Sequence, residues 1–298
     1  LQGGLGLDIK KMRDREIKDI FEGRSSKLLL VVGPCSVHCV GGVLAYAKML
    51  APIAEEIAHK AVVVVRAYTA KPRSETKGFM GLLHQEDGLE KAIKLHKDIL
   101  EQTGLPTADE LLYPSLLPHF KDVVSYFTIG ARSVLNQEHR LVASHINVPV
   151  GMKNPLNGSL SGMELAVAAG KRPHQFIFRD ELVESAGNPL THGVYRGFID
   201  EHGEHKANWM EALKDTSPVL VDVSHSNSKK DPARQGQVVR EVLKLREKNP
   251  NIKGLMIESF IEGGRQDEGG KVFGKSITDP CLGFEDTREL LRYIFGEI

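Results

Sequence analysis

A closed (β/α)8 barrel is the architecture that this 298-residue chain predicts, on three observations. Eight short apolar runs recur along it, several of them unbroken aliphatic stretches such as Ala61-Val62-Val63-Val64-Val65, as expected of parallel strands buried on both faces. Helix-period segments alternate with the runs at a spacing of about 30 residues, the pattern of successive βα units. Nearly every run ends in an ionisable or metal-binding side chain, and in a (β/α)8 barrel the carboxyl ends of all strands meet on one face, which carries the active site. An open, doubly wound sheet is the structural alternative. Residues after its first and last strands could not share one site, so the closed form is preferred.

In chain order, Leu28–Val32 leads into Gly33-Pro34-Cys35-Ser36, Val62–Val65 into Arg66, and Leu105–Leu112 surrounds Glu110. Phe127–Ile129 leads into Ala131-Arg132, Val148–Met152 into Lys153, and Phe176–Phe178 into Arg179. Val219–Val223 leads into Ser224-His225, and Ile252–Ile257 into Glu258. Helical periodicity marks Gly42–Ile57 (with a kink expected at Pro52), Leu89–Leu100, Met163–Ala169, Arg234–Leu245 and Thr287–Ile294. Residues 8–26 read as a charged, weakly amphipathic helix that caps the barrel bottom or makes an oligomer contact. The expected organisation is therefore an N-terminal helical extension over 1–26 and a catalytic barrel over 27–298. Gly187–Asn208, rich in Gly, His and Asn, is expected to be irregular, as a lid or extended βα loop.

Lys and Arg number 39 and so do Asp and Glu, so no global field favours nucleic acid or a membrane, and any attraction for an anion must be local. Cys35, Cys39 and Cys281 do not make a secreted disulfide framework. With no apolar run near 18 residues and no signal-peptide pattern, a cytoplasmic location is expected. The chain begins at Leu1 rather than Met, which suggests a processed or truncated start.

Closing the barrel makes Cys35, His225 and Glu258 neighbours, because they follow its first and last two strands. Asp279 lies in the loop just beyond. Mixed sulfur, nitrogen and oxygen donors suit one divalent transition metal (Mn²⁺, Fe²⁺, Co²⁺ or Zn²⁺) better than Mg²⁺ or Ca²⁺. A second constellation is basic: Arg66, Lys71, Arg73, Arg132, Lys153 and Arg196 all follow strands or sit in the loops after them. Clustered cations repel unless an anion joins them, and arginine forks match phosphate and carboxylate. Two anionic substrates, at least one phosphorylated, are therefore expected.

Six motifs occur in order: Gly33-Pro34-Cys35-Ser36-Val37-His38, Lys71-Pro72-Arg73-Ser74, Gly130-Ala131-Arg132-Ser133, Gly151-Met152-Lys153-Asn154, Asp222-Val223-Ser224-His225-Ser226-Asn227 and Gly274-Lys275-Ser276-Ile277-Thr278-Asp279. Together they resemble the type I 3-deoxy-D-arabino-heptulosonate 7-phosphate (DAHP) synthases, from about residue 16 to the end. The resemblance implies condensation of phosphoenolpyruvate with erythrose 4-phosphate, releasing inorganic phosphate, as the first step of the shikimate pathway. It implies a metal, Mn²⁺ before the others, on Cys35, His225, Glu258 and Asp279. Arg132, Lys153 and Arg196 would hold the phosphate of phosphoenolpyruvate, Arg66 and Lys71 would lie near its carboxylate, and Glu110 would orient this network or a water. Pro72, Arg73, Ser74 and Asp279 would meet erythrose 4-phosphate. Lys71 would give a proton to the new alkoxide, with Cys35 and His225 at the same reacting centre. A homo-oligomer, dimer or tetramer, is implied, with no nucleic-acid or membrane partner.

The alternatives are a related condensation with another aldose phosphate, as in 3-deoxy-octulosonate 8-phosphate synthases, and a non-catalytic phosphoenolpyruvate-binding paralogue. A metal-dependent barrel hydrolase fits less well, because no His-x-His pair ends a strand. The chain departs from the family pattern at Cys39, at Glu75 after Arg73-Ser74, and at Gly78-Phe79-Met80-Gly81. Its N-terminal segment and Gly81–Gly88 are short where the family builds subunit contacts and inhibitor sites, so feedback by an aromatic amino acid is not implied. Cys281 follows Asp279 by two residues, so a Cys35–Cys281 disulfide is expected in metal-free protein in air.

Overall fold

Along the first strand, β1 (Leu28–Gly33), side chains divide by parity. Leu29 and Val31 join one buried cluster, whereas Leu28, Leu30 and Val32 join another. This period of two is what a strand imposes, and here one cluster is the barrel interior and the other the layer beneath the helices. The same split runs through β2 (Ala61–Arg66), β4 (Tyr126–Ile129), β6 (Thr191–Tyr195) and β7 (Val219–Asp222), while β3 (Thr107–Glu110) and β8 (Ile252–Glu258) add Ala108 and Met256 to the interior and β5 (Val150–Lys153) adds Val150 and Met152 to the outer layer. The computed structural model describes residues 5–298. Its eight strands pair in parallel in chain order, and β8 returns to β1 with Val31 beside Met256 and Gly33 beside Glu258. The predicted barrel is the observed one.

The helices are α1 (Leu5–Phe21), α2 (Val40–Glu56), α3 (Gly88–Thr103), α4 (Leu117–Phe120), α5 (Gln137–Ala143), α6 (Leu160–Lys171), α7 (Gln235–Lys248) and α8 (Phe284–Glu297). α2 runs through Pro52 as one helix. Its N-cap is Cys39, whose sulfur accepts from the Gly42 N–H at 3.4 Å. Between β6 and β7 the connection carries a small antiparallel hairpin, Phe198–Ile199 with His205–Lys206, and a 3₁₀ segment, Trp209–Lys214, in place of an α-helix. No helix among the described residues is long and apolar enough to cross a membrane.

α1 lies across the end of the barrel where the strands begin. Ile17, Ile20 and Phe21 are buried in the same cluster as Leu29, Val62, Leu190 and Leu220. Burying three such side chains stabilises this closure by about 2 kcal/mol each. Phe21 also lies against the ring of His192, with centroids 4.3 Å apart.

The sixth strand is the main correction to the sequence reading. Phe176–Phe178 does form a strand, but in an antiparallel hairpin of His174–Phe178 with Glu181–Ser185 that stands outside the barrel. Arg179 and Asp180 make its turn at φ 50° and 67°, so Arg179 ends no barrel strand. The barrel uses Thr191–Tyr195 instead, inside the segment expected to be irregular. Its sequence, Thr-His-Gly-Val-Tyr, hides a fully buried strand because His192 is satisfied internally. Tyr126 Oη lies 2.7 Å from His192 Nε2, and His192 Nδ1 donates to the Leu190 carbonyl at 2.8 Å.

Burial pulls the pKa of His192 down to about 3. Because this lies below the unfolded value, the unfolded chain takes up the proton first. The contribution of a neutral His192 is therefore present above about pH 6.5 and is lost as pH falls toward 3. Relative to His192→Gln, the wild-type chain should lose about 2 kcal/mol between pH 7.5 and 5. Urea unfolding of both proteins at the two pH values measures this, and parallel losses would remove His192 as the cause.

Candidate active site

Parity also selects which side chains enter the barrel mouth. Val64, Ala108, Val194, Leu220 and Met256 line the interior, so the residues two further on, Arg66, Glu110, Arg196, Asp222 and Glu258, continue inward at the carboxyl end. Lys153 follows Gly151 in the same way, where a Cβ would strike the hydroxyl of Tyr126. Gly33 has no room for a side chain either, because a Cβ would meet the Arg66 carbonyl. The chain turns there, and Cys35 is buried at the mouth.

Single donor atoms of Cys35, Glu258 and Asp279 lie within 4.8 Å of one another. Cys35 Sγ is 3.5 Å from Asp279 Oδ2. His225 adjoins them, with Nε2 3.6 Å from Glu258 Oε1. Its other nitrogen is occupied: Nδ1 lies 3.0 Å from Asp222 Oδ2 and 2.8 Å from Ser224 Oγ. That pairing holds the ring so that Nε2 faces the cluster, as carboxylates do for metal-binding histidines. Glu258 Oε1 is buried without a hydrogen-bond partner, although the Arg66 guanidinium lies 3.0 Å away. An acceptor left in this state beside a thiol, a carboxylate and an oriented imidazole fits a divalent transition metal.

Cations surround this group. Lys71 Nζ lies 2.9 Å from Cys35 Sγ and 3.2 Å from Asp279 Oδ2. Lys230 Nζ meets the other Asp279 oxygen at 3.0 Å. Lys153 Nζ donates to Asp222 Oδ2 at 2.8 Å. Arg66 stacks on the Tyr68 ring with 3.8 Å from its guanidinium carbon to the centroid. Arg132 Nε donates to Ser74 Oγ at 2.9 Å, joining the loop after β4 to the one after β2. Arg73 Nε donates to the Phe79 carbonyl at 3.1 Å in that same loop.

The charges set one another's protonation. Burial opposes ionisation of Asp279, but Lys71, Lys230 and His225 outweigh it and hold its carboxyl well below the usual range. Burial likewise opposes charge on Lys71, yet Cys35 and Asp279 keep it firmly protonated. Asp222 is buried and still ionised, because His225 and Lys153 outweigh desolvation. Burial pushes Glu110 up, against the pull of Lys153, Lys71, Arg66 and Arg132. Arg196 is lowered by burial, with Arg132 adding repulsion. Arg66, Lys153 and Arg196 are buried at this mouth, and a buried set of cations beside Lys71 and Arg132 fits an anion.

The DAHP synthetase I family model matches residues 8–292. The chain belongs to this family. A phospho-2-dehydro-3-deoxyheptonate aldolase of Corynebacterium glutamicum is 35% identical, over 95% of this chain and 84% of its own length. A Tyr-sensitive enzyme of that name from Escherichia coli is also 35% identical, over 95% and 86%. The solved structure of the Francisella tularensis aldolase superposes with a TM-score of 0.91 at 28% identity, covering 98% of this chain and 92% of that one.

Within this DAHP synthetase I framework, the strand-end residues singled out from sequence converge on one mouth, except Arg179 in the outer hairpin turn. Arg196, expected inside an irregular segment, directly follows β6 and is buried. Pro72, Arg73 and Ser74 lie further out, in the loop after β2. Glu75 carries its charge away from Ser74, with its side chain 80% exposed and 3.6 Å from Lys77. Sequence reasoning assigned no role to Asp222 or Lys230. Asp222 stood within a quoted motif, and its alternation with Leu220 is the signal that points it inward. Lys230 carried no such signal, because its position depends on the turn at His225–Ser228 and on its own positive φ of 59°.

Cys281 is buried, faces the backbone of Cys35, and donates weakly to the Asp279 carbonyl at 3.6 Å. Burial pushes both thiols up, so few thiolates form and oxidation is slow. Chelator-treated protein left in air should lose activity while its titratable thiols fall from three to one. Three free thiols in inactive, oxidised protein would rule out a Cys35–Cys281 bond.

Proposed function

We propose that this chain condenses phosphoenolpyruvate with erythrose 4-phosphate to give DAHP and inorganic phosphate, the first step of the shikimate pathway. The observation that carries the reading is the Lys71 ammonium lying between Cys35 and Asp279, at the junction of a metal-donor set and an anion-binding set. Membership of the DAHP synthetase I family supports it. In this reading the N-terminal extension, of which residues 1–4 lie outside the described residues, closes the barrel bottom through Leu5–Phe21, and 27–298 form the catalytic unit.

Cys35, His225, Glu258 and Asp279 would hold one divalent metal, Mn²⁺ first among Mn²⁺, Fe²⁺, Co²⁺ and Zn²⁺. When bound, such an ion supplies Lewis-acid polarisation of the aldehyde carbonyl. Arg132, Lys153 and Arg196 bind the phosphate of phosphoenolpyruvate, and Arg66 and Lys71 meet its carboxylate. Fixing it there turns a two-body encounter into a positioned one. Pro72, Arg73 and Ser74 frame the acceptor's phosphate, with Asp279 near its reacting end. As the carbon–carbon bond forms, Lys71 protonates the new alkoxide, and Glu110 orients the water that captures C2. The hemiketal phosphate then loses phosphate by C–O cleavage.

A homo-oligomer is supported by the hairpin outside the barrel, where Ile177 and Leu182 pair and remain 66% and 63% exposed. Free thiols at 35, 39 and 281 accord with a cytoplasmic location.

Phosphate release from phosphoenolpyruvate with Mn²⁺ tests the reading. Erythrose 4-phosphate, arabinose 5-phosphate and no sugar should be compared, each with and without chelator. Release that needs erythrose 4-phosphate and stops with chelator is expected. Release with arabinose 5-phosphate alone would reassign the acceptor, and no release from metal-loaded protein would indicate a binding paralogue.

A further inference from the structure

The β2–β3 ladder does not stop where its strands do. Ala67 N–H donates to the Ala108 carbonyl at 2.9 Å as the last ordinary rung. At the next step Thr69 N–H donates to a side chain, Asp109 Oδ1, at 2.8 Å. Asp109 has the opposite parity to Ala108 and Glu110, so it points out of the barrel toward α3. There it is buried and accepts three more bonds. Thr69 Oγ1 donates to Oδ2 at 2.6 Å, Glu110 N–H to Oδ1 at 2.7 Å, and His96 Nε2 lies 3.0 Å from Oδ2. His96, fully buried on α3, is itself held at Nδ1 by Thr107 Oγ1 at 2.8 Å.

This carboxylate ties together two arms of the site. One is Thr69-Ala70-Lys71, which carries Lys71 to Cys35 and Asp279. The other is the end of β3, which carries Glu110 inward. Apart from the Lys71 side chain itself, the other bonds of this arm among the described residues run to its own loop, Lys71 N–H to the Met80 carbonyl and Leu83 N–H to the Thr69 carbonyl, while Tyr68 just before it accepts from the Val37 N–H. Among the described residues, Asp109 is the side chain that links Thr69 to the barrel wall beside Glu110.

We propose that Asp109, braced by His96 from behind the wall, is a positioning residue that sets Lys71 against Glu110 for the condensation. The proposal rests on the reading of Lys71 as the proton donor. A buried carboxylate that accepts four bonds is stiff, because each donor removed leaves unmet acceptor capacity out of water. Displacing a reacting group by about 1 Å can cost about 100-fold in rate.

Thr69→Val removes one bond at nearly constant volume, and Thr69→Ser retains it. Turnover is counted per phosphoenolpyruvate-binding site, so that misfolded protein does not enter. Thr69→Val should lower kcat about tenfold and leave KM for phosphoenolpyruvate within about twofold, since Arg132, Lys153 and Arg196 lie on other strands. Thr69→Ser should recover most of that kcat. Asp109→Asn should lower kcat about 100-fold and speed hydrogen exchange at the Thr69 and Glu110 amides. Unchanged kcat per site in Thr69→Val, an equal loss in Thr69→Ser, or unchanged exchange in Asp109→Asn would each overturn the proposal. Should Asp109→Asn not fold, the Thr69 pair decides. Wild-type protein that releases no phosphate would overturn the reaction reading instead, and exchange at Thr69 in Thr69→Val and Thr69→Ser would still judge the positioning role.

Discussion

Lys71→Met is expected to lower kcat by about three orders of magnitude, the range of a lost general acid, while phosphoenolpyruvate still binds. Lys71 Nζ is within 3.2 Å of both Cys35 Sγ and Asp279 Oδ2. Methionine matches its length and removes its charge and its proton. The substrate's phosphate meets Arg132, Lys153 and Arg196 from β4, β5 and β6 in the proposed reading, so affinity should fall far less than rate. Calorimetric binding of phosphoenolpyruvate beside single-turnover phosphate release separates the two. Turnover near the wild-type rate would end the proton-donor role, whereas equal losses in binding and rate would make Lys71 a substrate ligand only.

Asp222→Asn should produce the largest loss of stability among single-atom changes at the mouth. The carboxylate is 1% exposed and holds Lys153 at 2.8 Å and His225 at 3.0 Å. Neutralising it strands a buried ammonium, and breaking such a pair costs about 3–5 kcal/mol, or roughly 10 °C in Tm for a chain of this size. His225 also loses the partner of its Nδ1. Affinity for Mn²⁺ should therefore fall about 10–100-fold. Urea unfolding and a Mn²⁺ titration read these effects separately. A stability loss under about 1 kcal/mol would mean that Lys153 finds another counter-charge.

The barrel was legible because six of its strands are largely apolar and end in chemistry, and because the polar third strand, Thr107–Glu110, is flanked by Leu105 and Leu111 at the expected spacing. Strand six was not, since Thr191–Tyr195 carries a threonine, a histidine and a glycine, and burying His192 depends on Tyr126, far away in the chain, as well as on the Leu190 carbonyl beside it. Phe176–Phe178 is more strand-like as sequence, yet its partner is the next segment rather than the barrel. Arg196 shows the benefit of residue type over local pattern: it was assigned to the site although its segment was misread. Asp109 and Lys230 escaped notice for different reasons. Asp109 faces away from the mouth and acts only through Thr69 and Glu110, and Lys230 arrives by a left-handed turn that periodicity does not reveal.

The parity of the strands gives this fold something like a reading frame. The residues that fill the barrel and those that line its mouth occupy the same alternate positions of each strand, so packing and chemistry are written in one phase. Removing a single residue from β7 between Leu220 and Asp222 would turn the next side chain to the wrong face and carry Asp222 out of the mouth. The same deletion in the hairpin turn at Arg179–Asp180 shifts no barrel strand. Length variation among active relatives should therefore gather in loops and in that hairpin, and be nearly absent inside the eight strands.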